Sequence, residues 1–247
     1  MPTLSLKQIT QTLQSLAPIY KEKGVCVIPD VFSDFEMAEL KHQAYMTESS
    51  PGYPHFPIEY KGNKKALIFF PSLGNAYIDK IRKDERLATI AKFFLGENIK
   101  QVNNQIYFRE SGDGDEFAWH QDIRFRTPRE RFPGIEEGYL QTIIAVDDID
   151  ETNGGIEFIE GTHFTEEPQD NNLRNFVRNG RKGIKYKVKK GSVMCWHVLT
   201  VHGSEQNVSD RDRMTYMNGF AKAENCIDYP YYMKDGKVVD LEPNLIP

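Results

Sequence analysis

From about residue 99 onward the chain divides into eight short segments rich in β-branched and aromatic residues, at 101–109, 116–123, 139–147, 155–159, 184–190, 192–197, 199–204 and 213–221. Turn residues separate them: Gly112 and Gly114, Asn153-Gly154-Gly155, and Lys190-Gly191. No such segment can bury a face alone, and eight of them at this spacing predict a jelly roll or a small barrel. The first hundred residues have a helical texture. Leu6 to Lys23 is amphipathic, with Pro18 expected to kink or divide it, and 24–30 is strand-like. Ser33 and Glu36 have capping-box spacing, and a third helix is expected over 77–95, stopped by Gly96. Residues 50–64, with three prolines and two glycines, are expected to form a long ordered loop. No change of composition marks a boundary. The expectation is one domain over 1–247, mainly β with flanking α-helices. Its helical part, about 1–98, would pack on a jelly-roll (double-stranded β-helix, cupin-like) core at about 99–222.

Several function classes are disfavoured. The apolar runs at 66–70 and 142–146 are strand-length, far short of the ~20 residues that a spanning helix needs. The opening MPTLSLKQITQTLQ lacks the apolar stretch of a signal peptide. With 31 Lys+Arg against 36 Asp+Glu, the net charge of −5 argues against nucleic acid as the main partner. Three cysteines, Cys26, Cys195 and Cys226, form no CxxC pair and sit in or near apolar stretches, as buried reduced thiols do. A cytoplasmic location is expected, with no membrane and no nucleic-acid partner.

His120-Gln121-Asp122 is the first chemical motif. In a strand, residues two apart share a face, so His120 and Asp122 would project together into the barrel. Such a pair supplies two members of the two-histidine, one-carboxylate triad that holds non-haem Fe(II). Alone it is weak, because six histidines and 36 acidic residues in 247 positions make about one such spacing expected by chance. His202, in Val201-His202-Gly203-Ser204, can complete the triad, and Arg213 lies 11 residues beyond it. A planar guanidinium matches a carboxylate bidentately. The expected logic is 2-oxoglutarate chelating the iron, its far carboxylate at Arg213, and O2 in the remaining position.

The chain also resembles the phytanoyl-CoA dioxygenase family of Fe(II)/2-oxoglutarate oxygenases over nearly its whole length. GVCVIPDVFSDFEMAEL resembles that family's opening strand and helix, and RLATIAKFFLGENIK the helix before its core. FAWHQD is similar to the metal strand, TNGGIEFIEGTH to a turn-strand-turn, and VHGSEQNVSDRDR to the distal segment. The resemblance implies His120, Asp122 and His202 as iron ligands and catalytic centre, Arg213 as the 2-oxoglutarate anchor, and Ser204 as a further contact to the same carboxylate. Some members place a cosubstrate aromatic on the strand at 139–147; here Gln141, Thr142 and Ile143 occupy that stretch, and the choice among them stays open. Related halogenases replace the carboxylate by a small residue, so Asp122 implies hydroxylation or another oxidative outcome.

Other residues carry two readings each. His197 is expected at the core or rim, His163 to be structural, and His55 to pack in the 50–64 loop. Arg211 replaces Arg213 only if the strand register shifts. On 101–109, Asn103, Gln105, Tyr107 and Arg109 share a face. Turned inward, that face offers Asn103 and Gln105 as substrate contacts and Tyr107 to 2-oxoglutarate; turned outward, it is merely solvated. Gln121 and Arg126 are further substrate candidates. The run 124–131 holds four arginines and one glutamate, either a lid favouring an anionic substrate or a solvated surface run.

The leading expectation is an Fe(II)/2-oxoglutarate-dependent oxygenase, using O2, that hydroxylates an unactivated C–H bond of a small polar metabolite or natural-product intermediate and releases succinate and CO2. An acyl-CoA or lipid-like substrate is the alternative within that class. A zinc-dependent jelly-roll hydrolase or isomerase, or a non-catalytic cupin-like binding protein, are alternatives from other classes. Oligomeric state is not legible.

Overall fold

The computed structural model describes residues 3–47, 67–112, 116–166 and 181–242. The chain begins α1 (Leu6–Lys23), β1 (Val25–Ile28), α2 (Asp34–Met46), β2 (Leu67–Phe69), α3 (Pro71–Gly74), α4 (Ala76–Arg82) and α5 (Glu85–Leu95). Then come β3 (Ile99–Arg109), β4 (Phe117–His120), β5 (Tyr139–Ala145), β6 (Ile156–Ile159) and β7 (Ile184–Lys185). β8 (Val193–His197), β9 (Val201–Ser204) and β10 (Arg213–Lys222) follow, and β11 (Tyr231–Lys234) with β12 (Lys237–Val238) forms a closing hairpin. The larger sheet has the order β1-β8-β5-β10-β3-β11-β12, with β2 added on β3, and the smaller has the order β4-β9-β6-β7. From β3 to β10 the chain passes repeatedly between the sheets, all pairings being antiparallel. This is a jelly roll flanked by helices, the first of the two architectures that the strand spacing allows.

The larger sheet is buried on both faces, which explains why β5 is buried at every position. Its outer face, with Ile106, Phe108, Leu140, Ile144 and Tyr216, packs with Ile9, Leu13, Met37, Leu40 and Ile90 of the helices. Its inner face, with Ile143, Ala145, Met194 and Trp196, meets Phe158 of the smaller sheet. The side chains of Asn103, Gln105 and Tyr107 lie on that inner side, half-buried, so the solvated reading of this strand face does not hold.

Three local expectations change. α1 continues through Pro18 without dividing, and the carbonyl that loses its N–H partner belongs to Gln14, an exposed residue. The helix expected over 77–95 is two helices, since the Asp84 carboxylate accepts the Arg86 N–H and caps a new start. The strand expected at 184–190 shrinks to β7, with Val188 making an isolated bridge to Ile149.

The α2 capping box is tied to α5. The Ser33 hydroxyl accepts the Glu36 N–H at 3.2 Å, and the Glu36 carboxylate accepts the Ser33 N–H at 2.8 Å. Arg86 bonds the same carboxylate and also donates to the Val31 carbonyl at 2.9 Å. Burial alone would raise the Glu36 pKa, but the Arg86 and Ser33 hydrogen bonds and the Arg86 charge lower it to about 2. An unfolded Glu36 titrates near 4.5, so its contribution is complete above that value and is lost as pH falls through about 2. Glu36→Gln is therefore expected to cost about 1–2 kcal/mol at pH 7. In denaturant unfolding the difference from wild type should vanish near pH 2; a pH-independent difference would show that the charge contributes nothing.

Candidate metal centre

The metal-binding face is made by one strand pair and one turn. His120 on β4 and His202 on β9 are directly opposite in register, with ring centroids 4.2 Å apart. Each ring is held in the same way. Nδ1 of His120 donates to the Ala118 carbonyl at 2.9 Å, and Nδ1 of His202 to the Thr200 carbonyl at 2.9 Å. Those bonds fix the proton on Nδ1 and leave the Nε2 lone pair of both rings facing the third residue.

That third residue is not on the strand. β4 ends at His120, and Asp122 opens a 3-10 turn, Asp122–Phe125. The shared-face expectation thus reaches the right pair by a different backbone path. The turn swings Asp122 so that its Oδ1 stands 3.6 Å from His120 Nε2 and 3.8 Å from His202 Nε2. The other oxygen, Oδ2, accepts the indole N–H of Trp196 at 2.8 Å. Trp196 lies on β8 of the opposite sheet, so the site is braced across the sandwich.

The donor set fits a metal ion. One ligand atom from each of His120, Asp122 and His202 can be chosen so that all lie within 4.8 Å of one another, and all three residues are buried. Donors about 2 Å from a shared ion sit roughly 3 Å or slightly more apart, so a small inward movement completes the shell. Two imidazoles and one carboxylate on one side of an ion leave positions open opposite, the pattern suited to Fe(II) oxygenase chemistry. Burial, followed by the neighbouring His120, lowers the His202 pKa to about 4 and keeps the imidazole available as a neutral ligand. Burial alone would raise the Asp122 pKa, but His202, His120 and Arg126 together hold it below the ordinary carboxylate range.

No motif in the sequence marks Trp196. Its only signal is that, like Met194, it falls on the alternating inward positions of β8. Trp196→Phe keeps the ring and removes the donor to Asp122. By the usual effect of losing an outer partner of a metal ligand, Fe(II) affinity should fall about 10- to 100-fold. An iron titration at fixed 2-oxoglutarate measures this, and unchanged affinity would make the indole bond incidental.

Arg213 is buried at the start of β10, directly opposite Arg109 of β3. Its guanidinium donates to the carbonyls of Gly154 at 2.5 Å and Asn153 at 3.4 Å, so the Asn153-Gly154-Gly155 turn sets its direction. Gly154 has φ +73 and a Cβ there would meet the Glu205 carbonyl and the Arg109 stem, which explains why glycine stands at that point. Arg109 donates to the Ser204 hydroxyl at 2.8 Å, and its guanidinium lies 5.8 Å from the Tyr107 ring centroid. Arg213, Arg109, Ser204 and Tyr107 therefore form one end of the inner face. The sequence signal for Arg109 is its parity with Tyr107 on β3.

The remaining candidates separate clearly. Asn103 donates to Gln141 at 3.0 Å across the inner face, while Thr142 faces the other way and donates to the Asn218 carbonyl. Gln121 gives no support to a substrate role: its amide donates to the carbonyls of Thr165 and Leu199, tying two loops behind the ligands. His163 donates to the Lys21 carbonyl, and His197 Nδ1 accepts the Leu199 N–H, consistent with structural places for both. Arg211 pairs with Asp150 at the surface. The arginine run 124–131 does not act as a unit. Arg129 pairs with Glu166 and Arg131 with Asp228, Arg124 is exposed, and only Arg126 turns inward. The loop 50–64 with His55 lies outside the described residues.

This arrangement defines a class, a jelly-roll protein with a two-histidine, one-carboxylate iron site. The chain belongs to the phytanoyl-CoA dioxygenase family, whose profile matches residues 20–215. It is similar to an ectoine dioxygenase of Bordetella bronchiseptica, with 23% identity over 238 residues, 86% of this chain and 76% of that protein. It is also similar to a Stutzerimonas stutzeri protein named "Probable alpha-ketoglutarate-dependent hypophosphite dioxygenase", with 25% identity over 248 residues, 88% of this chain and 84% of that one. In fold it matches the crystal structure of EctD from S. alaskensis with 2-oxoglutarate and 5-hydroxyectoine, with TM-score 0.72, 21% identity, and coverage of 99% of this chain and 84% of that one. The protein is a dioxygenase, with iron as its metal and 2-oxoglutarate and O2 as cosubstrates. No helix among the described residues is long and apolar enough to cross a membrane.

Proposed function

We propose that this dioxygenase hydroxylates an unactivated C–H bond of a small polar metabolite. The observation that carries the reading is the convergence of His120, His202 and Asp122 at one end of an inner face whose other end holds Arg213. Iron with bound 2-oxoglutarate and O2 supplies an oxidant able to take hydrogen from such a bond, yielding succinate and CO2. The protein's own part is positional. His120 and His202 present fixed Nε2 atoms, and Trp196 aims the carboxylate of Asp122. Arg213 receives the far carboxylate of the cosubstrate, with Ser204 and Tyr107 beside it. Asn103, Gln105 and Arg126 stand on the substrate side. Phe117 and Phe125, both partly exposed, pack on the His120 ring at 4.7 and 5.3 Å and shield the ligands from water. The relatives named for ectoine and hypophosphite favour a small substrate over a long acyl chain.

Adding Fe(II) and then 2-oxoglutarate without oxygen should produce the weak visible charge-transfer band of the chelate, and oxygen should then yield succinate. A folded protein that binds Zn(II), shows no band with Fe(II) and turns over a substrate without 2-oxoglutarate would overturn the reading in favour of a hydrolytic site.

A further inference from the structure

Arg126 follows the turn that carries Asp122 and is buried, with 7% of its surface exposed. It donates to the Tyr139 hydroxyl at 2.5 Å. That hydroxyl donates to Gln141 Oε1 at 2.8 Å, which also accepts from Asn103. Gly219 makes room for this group, since a Cβ there would overlap the Tyr139 hydroxyl and crowd Asn103. The cluster is not closed on itself. Nε of Arg126 and Oδ1 of Asn103 are buried, and neither has a hydrogen-bond partner among the described residues.

The charge is unanswered as well. Among the described residues no carboxylate lies within ion-pair distance of Arg126, whereas its neighbours Arg129 and Arg131 both have one. Asp122 is close enough to influence it but makes no hydrogen bond to it, its oxygens being turned to Trp196 and the two histidines. Tyr139 is no substitute anion, because burial above all raises its pKa and keeps the phenol protonated. A guanidinium withdrawn from water without an anion carries an unreturned desolvation cost, and such groups concentrate where a ligand supplies the missing charge.

We propose that Arg126, oriented by Tyr139 and flanked by Asn103 and Gln141, recognises an oxyanion of the primary substrate, which makes that substrate a small organic acid: a carboxylate or a phosphorus oxyanion. The inference rests on the oxygenase reading above and narrows its substrate class. Gly219 faces both Asn103 and Gln141 across the sheet, six residues along β10 from Arg213. Two acids can therefore be held at once, the cosubstrate at Arg213 and the substrate at Arg126, with the metal ligands adjacent to the second.

The test uses the full chain loaded anaerobically with Fe(II) and saturating 2-oxoglutarate. Acetate, propionate and methylphosphonate are titrated against acetamide and propionamide, and the position of the visible band is read. The oxyanions should shift the band at concentrations about 10- to 100-fold below those the amides require, the usual worth of a charge-assisted pair. Arg126→Gln should erase that preference and Arg126→Lys should keep part of it. Equal response to acids and amides in wild type overturns the proposal, as does a preference that survives Arg126→Gln. Loss of the band that extra 2-oxoglutarate reverses reports competition at Arg213 and also counts against it. So does an Arg126→Gln protein whose 2-oxoglutarate requirement rises as far as that of Arg213→Ala. If Arg126→Gln does not fold, the wild-type comparison decides alone. Absence of any band in wild type sinks the oxygenase reading itself, whereas a normal band without acid preference sinks only this inference.

Discussion

Replacing His202 by alanine is expected to eliminate the iron–2-oxoglutarate band and reduce succinate formation to background. Disturbing an outer partner of a metal ligand already costs about 10- to 100-fold in affinity, and removing the ligand itself must exceed that. Among the described residues the geometry offers no replacement. His163 and His197 are the other histidines near β9, but His163 donates to the Lys21 carbonyl and His197 accepts the Leu199 N–H, so neither ring is turned toward Asp122. His202 also packs against Phe158 and Trp196, with ring centroids at 5.6 and 5.2 Å, so truncation leaves a hole in the core. His202→Gln, which keeps most of the volume, is the companion variant, and the melting transitions of both should be compared with wild type. Retention of substrate-coupled succinate formation by either folded variant would remove His202 from the metal site.

The second large effect is expected at Arg213. Arg213→Ala should raise the 2-oxoglutarate concentration needed for half-formation of the band by about two to three orders of magnitude, because removing one partner of a buried charge pair costs ~2–5 kcal/mol. Iron binding should change far less, since the triad lies at the other end of the inner face. Arg213→Lys keeps the charge but loses the planar fork and the two carbonyl bonds to Asn153 and Gly154. It should fall between the two. A variant that needs no extra cosubstrate would place the far carboxylate elsewhere, with Arg109 the nearest alternative, because it bonds Ser204 and stands opposite Arg213.

How much of this could be read from the chain depends on the range of the force that decides each feature. The eight core strands are legible because apolar alternation and turn residues act within a few positions, and β5 shows the result most clearly. Helix caps are equally local. Ser33 and Glu36 satisfy each other three residues apart, and the Asp84 cap that divides the expected 77–95 helix acts over two residues. Whether Pro18 divides α1 is not decided locally, because the consequence of its missing N–H depends on whether the Gln14 carbonyl meets water, which only packing decides.

For the site, the residue types and their spacing determined which side chains can bind a metal: His120, Asp122 and His202, with Arg213 eleven residues further on. The tertiary structure decided how they meet. Asp122 reaches the histidines through a turn and not a strand, and it is aimed by an indole 74 residues away on the opposing sheet. It also separated four neighbouring arginines that look equivalent in the chain, pairing Arg129 and Arg131 with surface acids and burying Arg126 with none among the described residues. Composition records that a charge is present. Whether water, a carboxylate or a ligand answers that charge depends on distances between segments remote in sequence, and those exist only once the two sheets have closed.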